Sequence, residues 1–364
     1  VSGAARHLYV HLPFCASRCG YCAFVVEVGA LGRRDEYLAA LLAELEHEAP
    51  RLGPLETVYL GGGTPTLMRA DRLARIMDAV RPHLAPGAEV TVEANPETVE
   101  SGLLAALVEA GVTRLSLGVQ SLDPALLGAL DRIATPEQAH RAAECARAAG
   151  IAALSVDMLL AVPGQDPDAL QRDIDGVLAI APEHVSWYEL EIKPGTALAR
   201  MGVAPPDEDA AADAYRHVVD SLEAAGYHWY ETANFARPGH ECRHSLAYWG
   251  AADYVGIGVG AVSTVAGRRW RNTTSLEAYV ASGGAPARTV EPLDEDTRRR
   301  ERWMLGLRLD RPLAVGWAGP PDHPEALERL AGWGLLEREG ETVALTREGR
   351  FLQNAVLHEL MEYA

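Results

Sequence analysis

Residues 8–22 read LYVHLPFCASRCGYC, an alternating apolar run that ends in Cys15, Cys19 and Cys22. The run predicts a strand over Leu8–Phe14, with a CxxxCxxC loop directly after it. Thiolates bind soft iron well, and three on one loop can each reach a different iron of a single cubane, leaving a fourth iron open. Zinc would want four protein ligands. No second CxxC pair exists to complete such a site, so His11 would have to be the fourth ligand. Three unrelated buried thiols are the remaining alternative. Cys145 and Cys242 stand alone, and an odd count of five cysteines in a long chain argues against a disulfide framework.

Outward from this stretch, strand-like and helix-like patterns alternate. Strands are expected at Leu8–Phe14, Thr57–Leu60, Glu89–Ala94, Arg114–Val119, Leu154–Leu160 and His184–Ile192. Amphipathic helices are expected at Arg34–Glu48, Asp71–His83, Gly102–Ala110, Pro136–Ala149, Pro167–Ile180 and near Asp207–Ala225. Six strand-then-helix units imply right-handed crossovers and a parallel sheet, with functional residues at the carboxyl ends of the strands. The fold class is α/β.

The remaining third reads differently. Residues 226–249, GYHWYETANFARPGHECRHSLAYW, and the glycine-rich DYVGIGVGA at 253–261 lack a clear helical period. Gly256, Gly258 and Gly260 only superficially suggest a dinucleotide loop, because the G-x-G-x-x-G form is missing. Beyond Pro292, helices are expected at Asp294–Leu307 and Pro324–Trp333. A hairpin at Glu337–Leu345 and a last helix capped by Thr346 complete a winged-helix-like arrangement. The expected division is therefore 1–235, 236–290 and 291–364.

The 364 residues carry 33 Lys+Arg against 51 Asp+Glu, a formal charge of −18. So acidic a chain is a poor match for nucleic-acid backbones and anionic bilayers. The net charge of −5 over residues 321–364 likewise disfavours DNA binding by the terminal module. No uncharged apolar stretch approaches the roughly 18 residues of a membrane span. LYVHLPF is too short and wrongly flanked for a signal peptide. A cytoplasmic location is expected, with no nucleic-acid partner.

Chemistry-bearing residues gather after the expected strands. The loop Gly61-Gly62-Gly63-Thr64 lacks the P-loop ending, and is read either as a turn or as backbone amides offered to a carboxylate or phosphate. Glu93 ends the third strand, Gln120 ends the fourth, and Arg132 follows in the next loop. Asp157 interrupts an apolar strand, which calls for an ion pair, with Arg132 as the candidate, or for contact with a polar cofactor. His244, Tyr248 and Trp249 bring an imidazole, a phenol and an indole within six residues. Spacing alone allows a hydrogen-bonded structural histidine or an axial haem ligand beside an aromatic wall. Arg243 would be placed to meet a haem propionate.

Together these motifs resemble radical S-adenosylmethionine (SAM) proteins. More narrowly, YVHLPFCASRCGYC, YLGGGTPT, EANPE, LGVQS, NFARPGHECRH, DYVGIG and LTREGRFLQNAVLHEL resemble the oxygen-independent coproporphyrinogen III oxidase family nearly end to end. The oxidases carry a further cysteine two residues after the third, where this chain has Phe24, and an N-terminal extension. The resemblance is therefore to the HemW-type haem chaperone branch.

That resemblance implies a partial (β/α)6 TIM barrel with a small C-terminal helical, winged-helix-like domain. It implies a [4Fe–4S] cluster on Cys15, Cys19 and Cys22, with SAM on the open iron. Tyr9, Gly62, Gly63, Thr64, Glu93, Gln120, Arg132 and Asp157 match SAM-contacting positions. His244, Tyr248 and Trp249 match an HNxxYW motif implied to bind haem. The chain departs from the branch at Ser245 (Asn in that motif), Val262 (His) and Ala23 (Asp). The implied function is to bind haem and pass it to an acceptor protein, with transient contact to a membrane protein. The alternative is an enzyme that decarboxylates coproporphyrinogen III or methylates a small molecule.

Overall fold

The computed structural model describes residues 4–204 and 207–361. The ends of the outer expected ranges, 1–3 and 362–364, lie outside the described residues. Strands β1 (Ala5–Leu12), β2 (Leu52–Gly62), β3 (Leu84–Ala94), β4 (Arg114–Gln120), β5 (Ala153–Leu160) and β6 (His184–Glu189) fall where the alternation predicts them. Helices α1 (Arg34–Glu48), α2 (Arg69–Val80), α3 (Ser101–Glu109), α4 (Pro136–Ala149), α5 (Pro167–Ile180) and α6 (Glu208–Ala224) follow them in turn. The boundaries have local causes. Thr135 and Gln138 form a reciprocal capping box with Pro136 at the first helical position, and Gly150 ends α4 in the left-handed region at φ 85°.

The six strands pair parallel in chain order. Two short strands, β7 (His228–Glu231) and β8 (Asn234–Ala236), extend the sheet antiparallel beyond β6. The segment read as lacking a clear helical period supplies a seventh parallel strand, β9 (Val255–Ile257), on the other side of β1. The nine-stranded order is β9-β1-β2-β3-β4-β5-β6-β8-β7, an open sheet whose outermost strands do not pair with each other. Three residues, with Gly256 among them and Gly258 directly after, are too short for a period to register. At Gly258 φ is 106°, and a Cβ would stand 2.5 Å from His11 O. Those glycines serve close chain packing, which accounts for them without a dinucleotide.

Strand periodicity divides the barrel into two faces. Leu154, Val156, Met158 and Leu160 of β5 join the main apolar core, whereas Ser155 and Asp157 face inward. Leu115 and Leu117 of β4 alternate with inward Arg114, Ser116 and Gly118, and Val185 and Trp187 of β6 alternate with His184, Ser186 and Tyr188. The outward face buries aliphatic side chains, each contributing about 1.5–3 kcal/mol. The inward face is polar and encloses a cavity.

A second correction concerns residues 243–249. Arg243–Trp249 form a helix, α7, too short to show a period. Farther on, α8 (Glu295–Gly306), α9 (Ala326–Gly332), a hairpin of β10 (Leu336–Glu339) and β11 (Thr342–Leu345), and α10 (Arg347–Phe351) match the expected winged arrangement. The expected last helix is broken at Leu352, and α11 (Gln353–Leu360) continues after it. Trp303, Leu330, Val343, Val356 and Leu360 build a separate apolar cluster there. No helix among the described residues is long and apolar enough to cross a membrane.

Candidate functional site

The three thiols sit at the carboxyl end of β1. Phe14–Cys15 pairs with Glu27–Val28, which folds the cysteine loop back on itself. Gly20 N donates to Leu130 O at 3.1 Å and Gly20 O accepts from Leu198 N at 2.9 Å, pinning the loop's middle. Cys15, Cys19 and Cys22 are free, half-buried, and line a cavity of about 520 Å³. Thr64 Oγ1 donates to Cys15 Sγ at 3.7 Å, and Arg132 Nη1 to Cys19 Sγ at 3.5 Å. Burial pushes the Cys15 thiol up to about 11 and raises Cys22 as well. A bound metal reverses that preference, because it deprotonates a coordinating thiol.

The donor set fits iron better than zinc. His11, the proposed fourth zinc ligand, hydrogen-bonds to Val25 O through Nε2 at 2.8 Å and to Tyr9 OH through Nδ1 at 3.1 Å. Both ring nitrogens are engaged. Among the described residues, no three His, Cys, Asp or Glu side chains group as they would around a single metal ion. Three thiols spread along one loop suit a cluster, whose irons are separate points of attachment.

The glycine loop does not offer its amides to a ligand. Gly62 N donates to Glu93 Oε2 at 2.9 Å, Gly63 N to Leu12 O at 2.9 Å, and Thr64 N to Phe14 O at 2.8 Å. The expectation of an anion cradle is corrected: these amides weld the loop to β1, β3 and the thiol segment. At Gly62, φ is 115° and a Cβ would lie 2.5 Å from the His11 ring, so no larger residue fits.

Four charged or polar residues converge at the strand ends. Glu93 accepts from Tyr59 OH and Gly62 N, both at 2.9 Å, and burial lifts its carboxyl to about 7. Gln120 lines the cavity from a register break in β4, with φ at 72°. Such non-glycine outliers concentrate at functional sites. Arg132 is held by Asn95 Oδ1 at 2.9 Å and by Gly118 O. The Asp157–Arg132 ion pair is not formed. Asp157 instead accepts from Ser116 Oγ at 2.9 and 3.1 Å and from Ser155 Oγ at 3.3 Å, with Ser186 a further donor, while burial raises its carboxyl. Tyr9 stands behind this wall, stacked on Tyr59 with ring centroids 6.2 Å apart.

The His244 segment lies apart. Cys242 and Ser245 reach the cavity, but His244 is only 2% exposed. Its Nδ1 hydrogen-bonds to Thr57 Oγ1 at 2.7 Å, and its ring packs on Tyr59 and Tyr248 with centroids at 5.2 and 4.8 Å. Burial drives its pKa down to about 3, so the imidazole is neutral. Its Nε2 has no hydrogen-bond partner. Trp249 carries Arg308 over its ring at 4.2 Å. The expectation of an aromatic wall open to a macrocycle is not met: none of the three residues lines the cavity, Tyr248 packs between His244 and Tyr254, and Arg308 covers Trp249. Arg243 is exposed and donates to Gly87 O at 2.9 Å, rather than facing the His244 ring's pocket.

Sequence reasoning missed Asn95, Arg114, Ser116, Ser155, His184 and Ser186, all of which line the cavity. For all of these but Asn95, the two-residue period of β4, β5 and β6 was the signal: each polar residue alternates with an apolar one.

Comparison with known proteins agrees with this geometry. Residues 9–175 match the family model of the radical SAM superfamily. The chain is 40% identical over 369 residues to the heme chaperone HemW of Mycobacterium tuberculosis H37Rv, covering 97% of this chain and 94% of that protein. It is 38% identical to the heme chaperone HemW of Escherichia coli K12, covering 96% of each. In fold it is similar to the coproporphyrinogen III oxidase HemN from Escherichia coli, with a TM-score of 0.86 and 24% identity over 98% of this chain and 90% of that one.

Proposed function

Because the chain belongs to the radical SAM superfamily and, within it, to the HemW heme chaperone family, we propose that it binds haem and passes it to an acceptor protein. In this reading Cys15, Cys19 and Cys22 hold a [4Fe–4S] cluster and the adjoining cavity takes SAM. The observation that carries the cofactor reading is the convergence of three thiols of one loop on the cavity, whose other lining cysteine, Cys242, is engaged with Glu89 away from that loop. When bound, the cluster supplies an open iron for the amine and carboxylate of SAM.

The chain's own residues then have separate tasks. Tyr59 and Gly62 fix the Glu93 carboxyl at the strand end, where it accepts hydrogen bonds from the cofactor's polar groups. Gln120 and Asp157 offer an amide and a carboxyl farther in. Arg132 carries positive charge to Cys19 and offsets the negative charge of thiolate ligands. Thr64 donates to the Cys15 sulfur.

For haem, the supporting feature is the unpartnered Nε2 of His244, on a ring whose other nitrogen is anchored by Thr57. The hydrogen bond with Thr57 fixes the ring's orientation, so that Nε2 would be the nitrogen left to hold haem iron. The ring is 2% exposed, so haem would contact this nitrogen only if the packing around it opened. A cytoplasmic location and a haem-accepting protein partner belong to the same proposal.

The enzymatic alternative is favoured by one observation, the polar inner wall that continues past the SAM positions. Against it, Phe24 stands 68% exposed where the oxidases carry their extra cysteine. The deciding experiment titrates haem into anaerobically reconstituted protein at the Soret band, then adds apomyoglobin as acceptor. Saturable binding followed by transfer supports the chaperone reading. Absence of haem binding, with coproporphyrinogen consumed alongside SAM cleavage, replaces it by the enzyme reading.

A further inference from the structure

Arg114 begins β4 and lines the inner end of the cavity, remote from the thiol loop along the strand. It is 3% exposed, and among the described residues its charge acts on Asp157 without a direct ion pair. Its Nη1 donates to His240 O at 2.9 Å, while Nη2 has no partner. Asn234, also lining the cavity and 4% exposed, gives its amide nitrogen to Glu231 and leaves Oδ1 unpartnered. Burying a guanidinium without a directly paired counter-charge is costly, and an orphaned donor adds to the cost.

The neighbouring groups do not discharge that debt. Asp157 has its oxygens occupied by Ser116 and Ser155, and burial favours its neutral form. His184 spends both ring nitrogens on Ser155 Oγ and Tyr230 OH, each at 2.8 Å. Arg114 and Asn234 both line the cavity, and their unpartnered donor and acceptor lie buried in its wall.

We propose that Arg114 is the receptor for the carboxylate of a propionate-sized acid that enters through this cavity, with Asn234 Oδ1 taking a water or hydroxyl beside it. A carboxylate suits the site better than a phosphate, because one free Nη2 beside Asp157 favours a single negative charge. The carboxylate is either the side arm of a macrocycle or that of a free acid. The inference rests on the cavity being a ligand site, as in the function proposed above, but not on that ligand being haem.

The test uses the full chain with its cluster reconstituted, and compares wild type with Arg114→Gln and Arg114→Lys. Propionate and methyl propionate are titrated by calorimetry, and haem and haem dimethyl ester at the Soret band. Iron content and circular dichroism check that each variant is folded. Losing a charge-assisted hydrogen bond should weaken binding about 10- to 100-fold. Propionate binding that methyl propionate does not share, lost in Arg114→Gln and partly kept in Arg114→Lys, supports the site with a free acid as ligand. Haem outbinding its dimethyl ester at least tenfold in wild type alone supports it with the carboxylate on a macrocycle. Should Arg114→Gln fail to fold, competition between propionate and haem in wild type gives the same answer. Propionate bound without any haem binding keeps the site and removes the chaperone reading. No propionate binding, with equal affinities for haem and its ester in wild type, overturns the proposal.

Discussion

Gly62 N donates to Glu93 Oε2 at 2.9 Å, tying the loop after β2 to the end of β3. The same carboxyl receives Tyr59 OH at 2.9 Å, so a backbone amide and a phenol fix one side chain from two directions. The glycine loop thereby positions an acid at the cavity's mouth, rather than binding an anion itself.

Glu93 should make stability fall with rising pH. Burial lifts its carboxyl to about 7 in the folded chain, above the ordinary value near 4.5. Between those values the folded state holds the extra proton, so each step up in pH costs stability until about pH 7. Below about 4.5 both states are protonated and the effect is fully present as stabilisation. Thermal midpoints of cluster-free wild type and Glu93→Gln, taken from pH 4.5 to 8, should differ in slope only within that window. Parallel curves would show that Glu93 titrates normally.

Gly62→Ala should destabilise the chain by about 2–4 kcal/mol, the sum of a strained backbone angle and an overpacked contact. The added Cβ would meet the His11 ring, which is held on both nitrogens and cannot swing away. Urea unfolding measures this, and a change under 0.5 kcal/mol would mean the loop relaxes freely.

Asp157→Asn should separate binding from folding. Burial raises the carboxyl, so the neutral amide is tolerated and the thermal midpoint should not fall. SAM affinity of the reconstituted protein should drop about tenfold, the worth of one hydrogen bond. Calorimetry decides it, and undiminished affinity would remove Asp157 from the cofactor site.

His244→Ala should have two consequences, because the ring is both a packed element and a candidate ligand. Removing it should cost about 2–4 kcal/mol, as other large-to-alanine core changes do. A haem titration of the folded variant should show weaker binding and an altered Soret band. An unchanged spectrum and affinity would leave His244 a structural residue.

How much of this was legible in the sequence depended on length and period. Strands of six or more residues and amphipathic helices such as Pro136–Ala149 announced themselves, and so did the thiol spacing. β9 and α7 did not, since three and seven residues carry too little pattern. The inward polar residues were visible as every second position of β4, β5 and β6. Partners within the site were not: Asp157 was matched to Arg132 on charge, yet serines on its own strand and the adjacent strands reach it first. Likewise, the orientation of His244 depends on Thr57, 187 positions away in the chain.

The central claim is an open-site iron–sulfur cluster that SAM completes. Electron paramagnetic resonance of the reduced, anaerobically reconstituted protein, recorded with and without SAM, tests it most directly. The expected result is about four irons and four sulfides per chain, a cluster signal that shifts when SAM is added, and loss of both on changing Cys15, Cys19 or Cys22 to alanine but not Cys145. Stoichiometric zinc without iron, or a spectrum unaltered by excess SAM, would contradict it.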